Sequence, residues 1–296
     1  MTRHTLVAMA GALALGLTGP AAAQHQPESG DPAARDCRKE APPGLRIAAC
    51  NHRLAEPSLS GKQRSEALTL KGSALEQIGD GPAGLIAAYE AVAADPRNPE
   101  AYLLRASLLS TRGQHQDALR DQLAAIELDP RNPDAWSDLA YIYEDVGDYD
   151  NAFEAYGRTL ALRPDDPVVL NNRCWSRAAL GRDLQLAVAD CDRAVALMPR
   201  SADALDTRGF LRLRMGQYEL AITDLDAALT LNRRRADSFY LRSVAARRLG
   251  RTAEADSNMA YALDIDPDVA DTFAHHGVRL DADPRPKGDE EPPPPR

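Results

Sequence analysis

A period of 34 residues is the feature that most constrains this chain. Residues 98–131 and 132–165 align without a gap, so that Tyr102 falls on Trp136. The same spacing continues along a ladder of glycines with intervals of 34, 34, 34, 35 and 34 residues: Gly79, Gly113, Gly147, Gly181, Gly216 and Gly250. A fixed period of this size predicts a repeat architecture in which each unit packs against its neighbours.

Each unit is predicted to be a pair of helices. Alanine and leucine are abundant whereas valine and isoleucine are sparse, which favours helix over sheet. A ladder glycine separates the two apolar segments of a unit, where a positive φ is easily adopted. A proline ladder, which includes Pro96, Pro130, Pro164 and Pro199, ends the second segment. Two helices of about 14 residues, each ~21 Å long, fill one period.

This pattern resembles the tetratricopeptide repeat (TPR), which has a bulky residue at position 4 and a small residue at position 8. Position 4 holds Leu68, Tyr102, Trp136, Leu170, Leu205 and Phe239, and position 8 holds Gly72, Ala106, Ala140, Cys174, Gly209 and Ser243. The resemblance covers 65–269 as six units, 65–98, 99–132, 133–166, 167–201, 202–235 and 236–269, with one extra residue near Asp183. It implies an all-α fold, a right-handed α-solenoid.

The two ends of a solenoid need capping, because each unit buries its apolar face only by stacking. Apolar residues at helical spacing predict a leading helix over 43–54 within a capping and linker region, 43–64. Residues 270–281 are predicted to form a closing helix. Residues 24–42 are expected to be a flexible lead-in, and the charged, proline-rich residues 282–296 a disordered tail.

Residues 1–23 have the pattern of a secretory signal peptide. Arg3 precedes an apolar stretch of 12 residues, 6–17, and Ala21-Ala22-Ala23 offers a cleavage site after Ala23. The alternative is a membrane anchor, but bilayer spanning needs about 20 apolar residues. We therefore predict a periplasmic protein with no membrane span after cleavage. Removing Arg3 leaves 34 basic against 44 acidic residues, a net charge of −10, which argues against nucleic-acid binding.

Four cysteines remain after the predicted cleavage, an even number for an oxidising compartment. Cys174 and Cys191 lie on the two helices of the fourth unit, and Cys37 and Cys50 are 13 residues apart before the repeats. We predict two disulfides, Cys174–Cys191 and Cys37–Cys50. The alternative is buried free thiols.

Catalytic and ligand motifs give little support for an enzyme. Residues 79–84 match G-x-G-x-x-G, but the dinucleotide fingerprint requires a preceding strand, and here the pattern predicts a helix before Gly79. No cysteine–histidine cluster has zinc spacing, and no nucleophile motif is present. The prediction is a non-enzymatic protein without a metal or cofactor.

Arginine at position 7 is matched by aspartate on the second helix of the same unit. Arg105, Arg173 and Arg208 are matched by Asp121, Asp190 and Asp224, whereas Leu139 is matched by Ala155. This internal matching predicts structural ion pairs between the paired helices. If exposed, each contributes less than about 1 kcal/mol.

The TPR resemblance also implies a concave groove lined by positions 2, 5, 9, 12 and 13 of the first helices. Its early part is acidic and its late part basic, with aromatic residues between them. The candidate partner-binding residues are Tyr141, Asn171, Asn172, Trp175, Phe210, Arg214, Tyr240 and Arg247. Aromatic residues at such positions are typical interface anchors, although they could instead pack between neighbouring first helices.

This groove predicts a scaffold that binds a protein or peptide segment with a basic part, an aromatic middle and an acidic end. An envelope adaptor or assembly factor is the first hypothesis. The alternative is a regulatory subunit that positions a periplasmic enzyme, such as a cell-wall enzyme or protease. The basic cluster from Arg233 to Arg251 is expected to be a solvated face rather than a site for an anionic ligand.

Overall fold

The protein is described here by a computed structural model that covers Cys37, residues 40–283 and Arg285. This part of the chain contains fourteen α-helices and no strand. They are α1 (Pro43–Leu54), α2 (Gly61–Gln77), α3 (Gly81–Ala94), α4 (Pro99–Ser110), α5 (His115–Leu128), α6 (Pro133–Asp145), α7 (Tyr149–Leu162), α8 (Pro167–Leu180), α9 (Leu184–Leu197), α10 (Ala202–Arg214), α11 (Tyr218–Leu231), α12 (Ala236–Arg248), α13 (Thr252–Ile265) and α14 (Val269–His275). The predicted all-α solenoid is confirmed.

Helices α2 to α13 form six antiparallel pairs, which agrees with the predicted number, and α2 begins at Gly61, within the segment predicted as a linker. Every ladder glycine adopts a positive φ between 69° and 83° in the turn inside its pair. The fourth turn differs, because its extra residue lies at Asp183, which also adopts a positive φ of 53°. Residues 79–84, the G-x-G-x-x-G match, form the helix–helix turn between α2 and α3 and the start of α3.

Small residues let the two helices of a pair approach closely. A Cβ atom added to Gly209 would lie 2.9 Å from Leu225 Cγ on the facing helix, and real Cβ atoms do not come so close. In the second and third pairs alanine has this role, and Ala106, Ala118, Ala140 and Ala152 are fully buried. The buried apolar residues form a series of clusters along the solenoid, the largest of them in the late units.

Ion pairs join the two helices of three units, as the sequence predicts. Arg105 Nε lies 2.6 Å from Asp121, while Arg173 and Arg208 contact Asp190 and Asp224 through two nitrogens each. The three aspartates are buried. The contribution of less than about 1 kcal/mol that holds for exposed ion pairs therefore does not apply to them. A further bond, from Arg242 to Asn258, occupies the same place in the sixth unit.

Both predicted disulfides are present. Cys37 and Cys50 tie the chain before α1 to that helix, with their Cα atoms 4.6 Å apart. Cys174 and Cys191 link α8 to α9, with their Cα atoms 5.6 Å apart. The described part of the chain has no free cysteine.

The closing helix is shorter than predicted and has a different course. Helix α14 ends at His275, since Gly277 adopts a φ of 73° and turns the chain. We call residues 269–283 the C-terminal arm. Helix α14 packs against α12 and α13 at the end of the solenoid, and the arm also contacts the first helices of earlier units through Phe273 and His276.

The predicted signal peptide, residues 1–23, and most of the lead-in and tail lie outside the described residues. None of the fourteen helices in the described part has the length and hydrophobicity that bilayer crossing requires.

Candidate functional site

The first helices of the six units lie side by side and line one face of the solenoid. Polar side chains connect neighbouring helices across this face: Ser107 Oγ lies 3.2 Å from Glu76 Oε1, and Ser176 contacts Glu144. Tyr141 accepts a hydrogen bond from the Asn172 amide. The structure thus brings Tyr141, Asn171 and Asn172 of the predicted set together, and all three are partly exposed.

The acidic half of the groove, defined by Glu76, Asp138, Tyr141, Glu144 and Asp145, carries carboxyl groups with raised pKa values. Asp138 is exposed at the surface of α6, yet partial desolvation of its carboxyl, together with the nearby Asp134, raises its pKa to about 6. Sequence reasoning did not select Asp138, because the partial desolvation of its carboxyl arises only when α6 is stacked among its neighbours.

Glu144 is partly buried. Burial raises its pKa to about 7, although hydrogen bonding by Ser176 opposes this change. Ser176 Oγ also lies 3.0 Å from the Asn172 carbonyl. The Ser176 hydroxyl therefore lies between the Glu144 carboxyl and the Asn172 carbonyl, and a hydrogen bond from Tyr156 also favours the charged form of Glu144.

The late half of the groove consists of Trp175, Phe210, Arg214 and Tyr240. Phe210 and Tyr240 are only 1% and 2% exposed, and Arg214 is 4% exposed. They are not the open surface side chains that the sequence predicts, because the C-terminal arm covers them. Trp175 remains partly exposed at the edge of the arm.

Phe273 is the aromatic anchor of the arm. Its ring stacks on Tyr240 with 5.2 Å between centroids and meets the edge of Phe210 at 5.5 Å. His276 contacts Trp175 edge-on at 5.3 Å. Aromatic pairs with these geometries add stability beyond the area they bury.

Side chains of the groove and its rim donate hydrogen bonds to backbone carbonyls of the arm. Arg214 donates to the His276 carbonyl over 2.9 Å, and the Tyr240 hydroxyl donates to Val278 over 3.1 Å. Arg248, at the end of α12, donates to Leu280 over 3.1 Å. Sequence reasoning missed this arrangement, since the apolar spacing of the arm is equally suited to an ordinary closing helix.

Arg247 has a different environment from the other predicted groove residues. Its guanidinium pairs with Asp256 of α13 over 2.5 Å, so it faces the second helix of its unit. Other members of the predicted basic cluster are also paired: Arg235 contacts Asp203 and Asp206, and Arg242 contacts Asp226. Much of the cluster therefore has counter-charges within the chain.

Within the described residues, no three or more histidine, cysteine, aspartate or glutamate side chains are arranged to hold a metal ion. The groove instead offers aromatic surfaces, carboxyl groups and amide or guanidinium donors. This chemistry suits recognition of an extended polypeptide.

Stacked helix pairs with a side-chain-lined groove define an α-solenoid of the interaction-scaffold class. A family model described as "Tetratricopeptide repeat" matches residues 69–133, 103–167 and 208–270. These matches together cover more than half of the 296 residues. The chain belongs to the tetratricopeptide repeat family, and the predicted resemblance is confirmed. A comparison with curated proteins found no match.

Several solved structures share this fold. PilW, described as a type IV pilus biogenesis factor, is 19% identical with a TM-score of 0.62, over 69% of this chain and 94% of PilW. YrrB, described as a TPR protein with an unusual peptide-binding site, is 22% identical with a TM-score of 0.51, over 64% of this chain and 96% of YrrB. MamA from Desulfovibrio magneticus RS-1 is 18% identical with a TM-score of 0.53, over 57% of this chain and 95% of MamA.

Proposed function

We propose that this protein is an exported scaffold that binds a polypeptide segment in the acidic half of its groove. One observation carries the proposal. Tyr141 and Asn172 form a partly exposed aromatic and amide surface beside Asp138 and Glu144, and the C-terminal arm makes its ring contacts and hydrogen bonds with the late half instead.

The chemistry of this half favours a segment with a lysine or arginine side chain. A cation beside Asp138 or Glu144 lowers the carboxyl pKa, since an opposite charge favours the ionised form. The carboxyl then pairs with the cation through a charge-assisted hydrogen bond, which is stronger than one between neutral groups. Loss of one such bond costs about 1.5–3 kcal/mol, which is roughly tenfold or more in affinity.

We assign the scaffold to the bacterial envelope, as an adaptor or assembly factor. The signal-peptide pattern of residues 1–23 supports export, and two disulfides suit an oxidising compartment. The acidic groove supports a basic segment as partner. A captured partner that is itself an enzyme would favour the role of a regulatory subunit.

Site-specific photocrosslinking tests this proposal in the intact protein. A benzoylphenylalanine at Tyr141 is expected to give a partner adduct in the envelope of the producing cell. The matched control is the same residue at Tyr261, which is 58% exposed on the second helix α13. The adduct should decrease at least tenfold in an Asp138→Asn background. Equal adducts at both positions, or none at Tyr141, would exclude the acidic half as the binding site.

A further inference from the structure

The turns that join neighbouring units lie along one edge of the solenoid. The fourth of these turns connects α9 to α10, and the fifth connects α11 to α12. Arg235 of the fifth turn pairs with Asp203 and Asp206 in the first turns of α10. Ser238, at the start of α12, also contacts Asp206. These bonds hold the fourth and fifth turns side by side, so that together they present one surface.

Three arginines of this surface have no counter-charge. Arg200 in the fourth turn and Arg233 and Arg234 in the fifth are exposed. Among the described residues, no carboxylate forms an ion pair with any of the three. The acidic residue that follows the fourth turn, Asp203, is already paired with Arg235. An exposed guanidinium without an internal partner is free to bind an external anion, and its planar fork of donors fits phosphate.

Half-exposed leucines adjoin these arginines. Leu197 and Leu231 are the last residues of α9 and α11, and they are 36% and 41% exposed. Each leucine lies three residues before an arginine, so that one turn brings an apolar and a cationic side chain to the same edge. We call this surface the turn patch, and its residues are Leu197, Arg200, Leu231, Arg233 and Arg234.

We propose that the turn patch docks the protein onto an anionic phospholipid surface, with its arginines on lipid phosphates and its leucines among the headgroups. Binding at such an interface combines buried apolar area with attraction to anionic lipid. Each arginine near the surface contributes roughly fivefold to the affinity. The leucines favour lipid over a soluble polyanion, because only lipid offers them an apolar environment. The proposal goes beyond the binding of a polypeptide in the groove, since the patch consists of turns at the edge of the solenoid.

The neighbouring turns define the extent of the patch. In the second turn, Leu128 is 40% exposed and again lies three residues before an exposed arginine, Arg131. The sixth turn has the opposite charge, since it contains Asp264, Asp266 and Asp268. An anionic bilayer repels these carboxylates. The surface that faces the lipid therefore ends at the fifth turn.

Vesicle flotation with the full chain tests the proposal. The probes are vesicles of equimolar phosphatidylglycerol and phosphatidylcholine, and vesicles of phosphatidylcholine alone. We expect binding to the anionic vesicles to be at least tenfold tighter, because three arginines contribute to it. Added salt should weaken this binding, since it screens exposed charges. Equal binding to the two kinds of vesicle, or none to either, would overturn the proposal.

Two sets of variants separate the patch from the overall charge of the chain. Replacing its three arginines by glutamine should weaken binding to the anionic vesicles at least tenfold. The charge-matched control removes three exposed arginines elsewhere, two on second helices and one in the turn inside the sixth unit: Arg120→Gln/Arg158→Gln/Arg251→Gln. This control should preserve binding, and an equal loss in both variants would contradict a defined patch.

The leucines distinguish a bilayer from a soluble polyanion. Leu197→Ser/Leu231→Ser should weaken vesicle binding roughly fivefold or more and leave any binding of inorganic polyphosphate unchanged. Vesicle binding that does not respond to this change would assign the patch to a soluble polyanion and overturn the proposal. Hydrogen exchange of the wild-type chain gives a measurement independent of every variant. Anionic vesicles should lower deuterium uptake in residues 197–201 and 231–235, and not around Gly113 and Gly147 at the opposite edge; uniform protection would exclude docking through the patch.

Discussion

Replacement of Glu144 by glutamine should stabilise the protein at alkaline pH. The folded state holds the Glu144 proton more tightly than the unfolded state, since burial raises the pKa from 4.5 to about 7. For an acid with a raised folded pKa, the contribution to stability falls as pH rises from the unfolded value to the folded value, and is then constant. Glutamine keeps a neutral side chain at every pH, so Glu144→Gln should lose this dependence.

The magnitude follows from the two pKa values. Ionising Glu144 in the folded protein costs roughly 3 kcal/mol. Between pH 5 and pH 8 the wild-type protein should therefore lose roughly 2–3 kcal/mol relative to Glu144→Gln. For a solenoid of this size, the corresponding change in relative Tm is roughly 5–10 °C.

Thermal and urea unfolding at several pH values between 5 and 8 measures this effect. Glu127→Gln is the control, because Glu127 is exposed on α5 and its replacement should leave the pH profile unchanged. Parallel stability curves for the wild-type protein and Glu144→Gln would refute the reasoning. They would mean that water or a structural change solvates the Glu144 carboxylate in the groove.

Three further perturbations test the helix pairing and the arm. Arg105→Leu should cost roughly 3–5 kcal/mol, because it leaves Asp121 buried without its cation, and Arg105→Leu/Asp121→Ala should recover most of this loss in urea unfolding; equal losses would contradict the assignment. Replacing both Cys174 and Cys191 by alanine should lower the unfolding free energy by roughly 2–4 kcal/mol, and an unchanged midpoint would contradict a stabilising disulfide. Burial lowers the pKa of His276, so acidification below about 6.5 should favour the undocked, protonated arm; the protection factors of the arm amides, corrected for the slower intrinsic exchange at low pH, should fall in the wild-type protein but not in His276→Gln.

Local sequence signals were sufficient for most of the scaffold. A turn glycine needs only a positive φ, and Gly113 or Gly147 therefore marks its turn without reference to distant residues. The pairing of Cys174 with Cys191 followed from the same register, because facing positions of one helix pair are a fixed number of residues apart.

The state of the site depended on contacts between distant residues. Phe210 and Tyr240 occupy groove positions in the repeat pattern, yet Phe273 covers them. The spacing of apolar residues predicts that Phe273 is buried, but it does not predict which surface Phe273 packs against. Similarly, the raised pKa values of Asp138 and Glu144 arise from loss of water around the assembled helices.

The sequence by itself determined the helix pairs, their number and register, and the disulfide partners. All of these depend on residue spacing within one unit or between adjacent units. Only the tertiary structure decided which part of the groove is open, which carboxyl groups have a raised pKa and where the C-terminal arm lies. Those properties depend on burial and on packing between residues as far apart in the chain as Trp175 and His276, for which no repeat period exists.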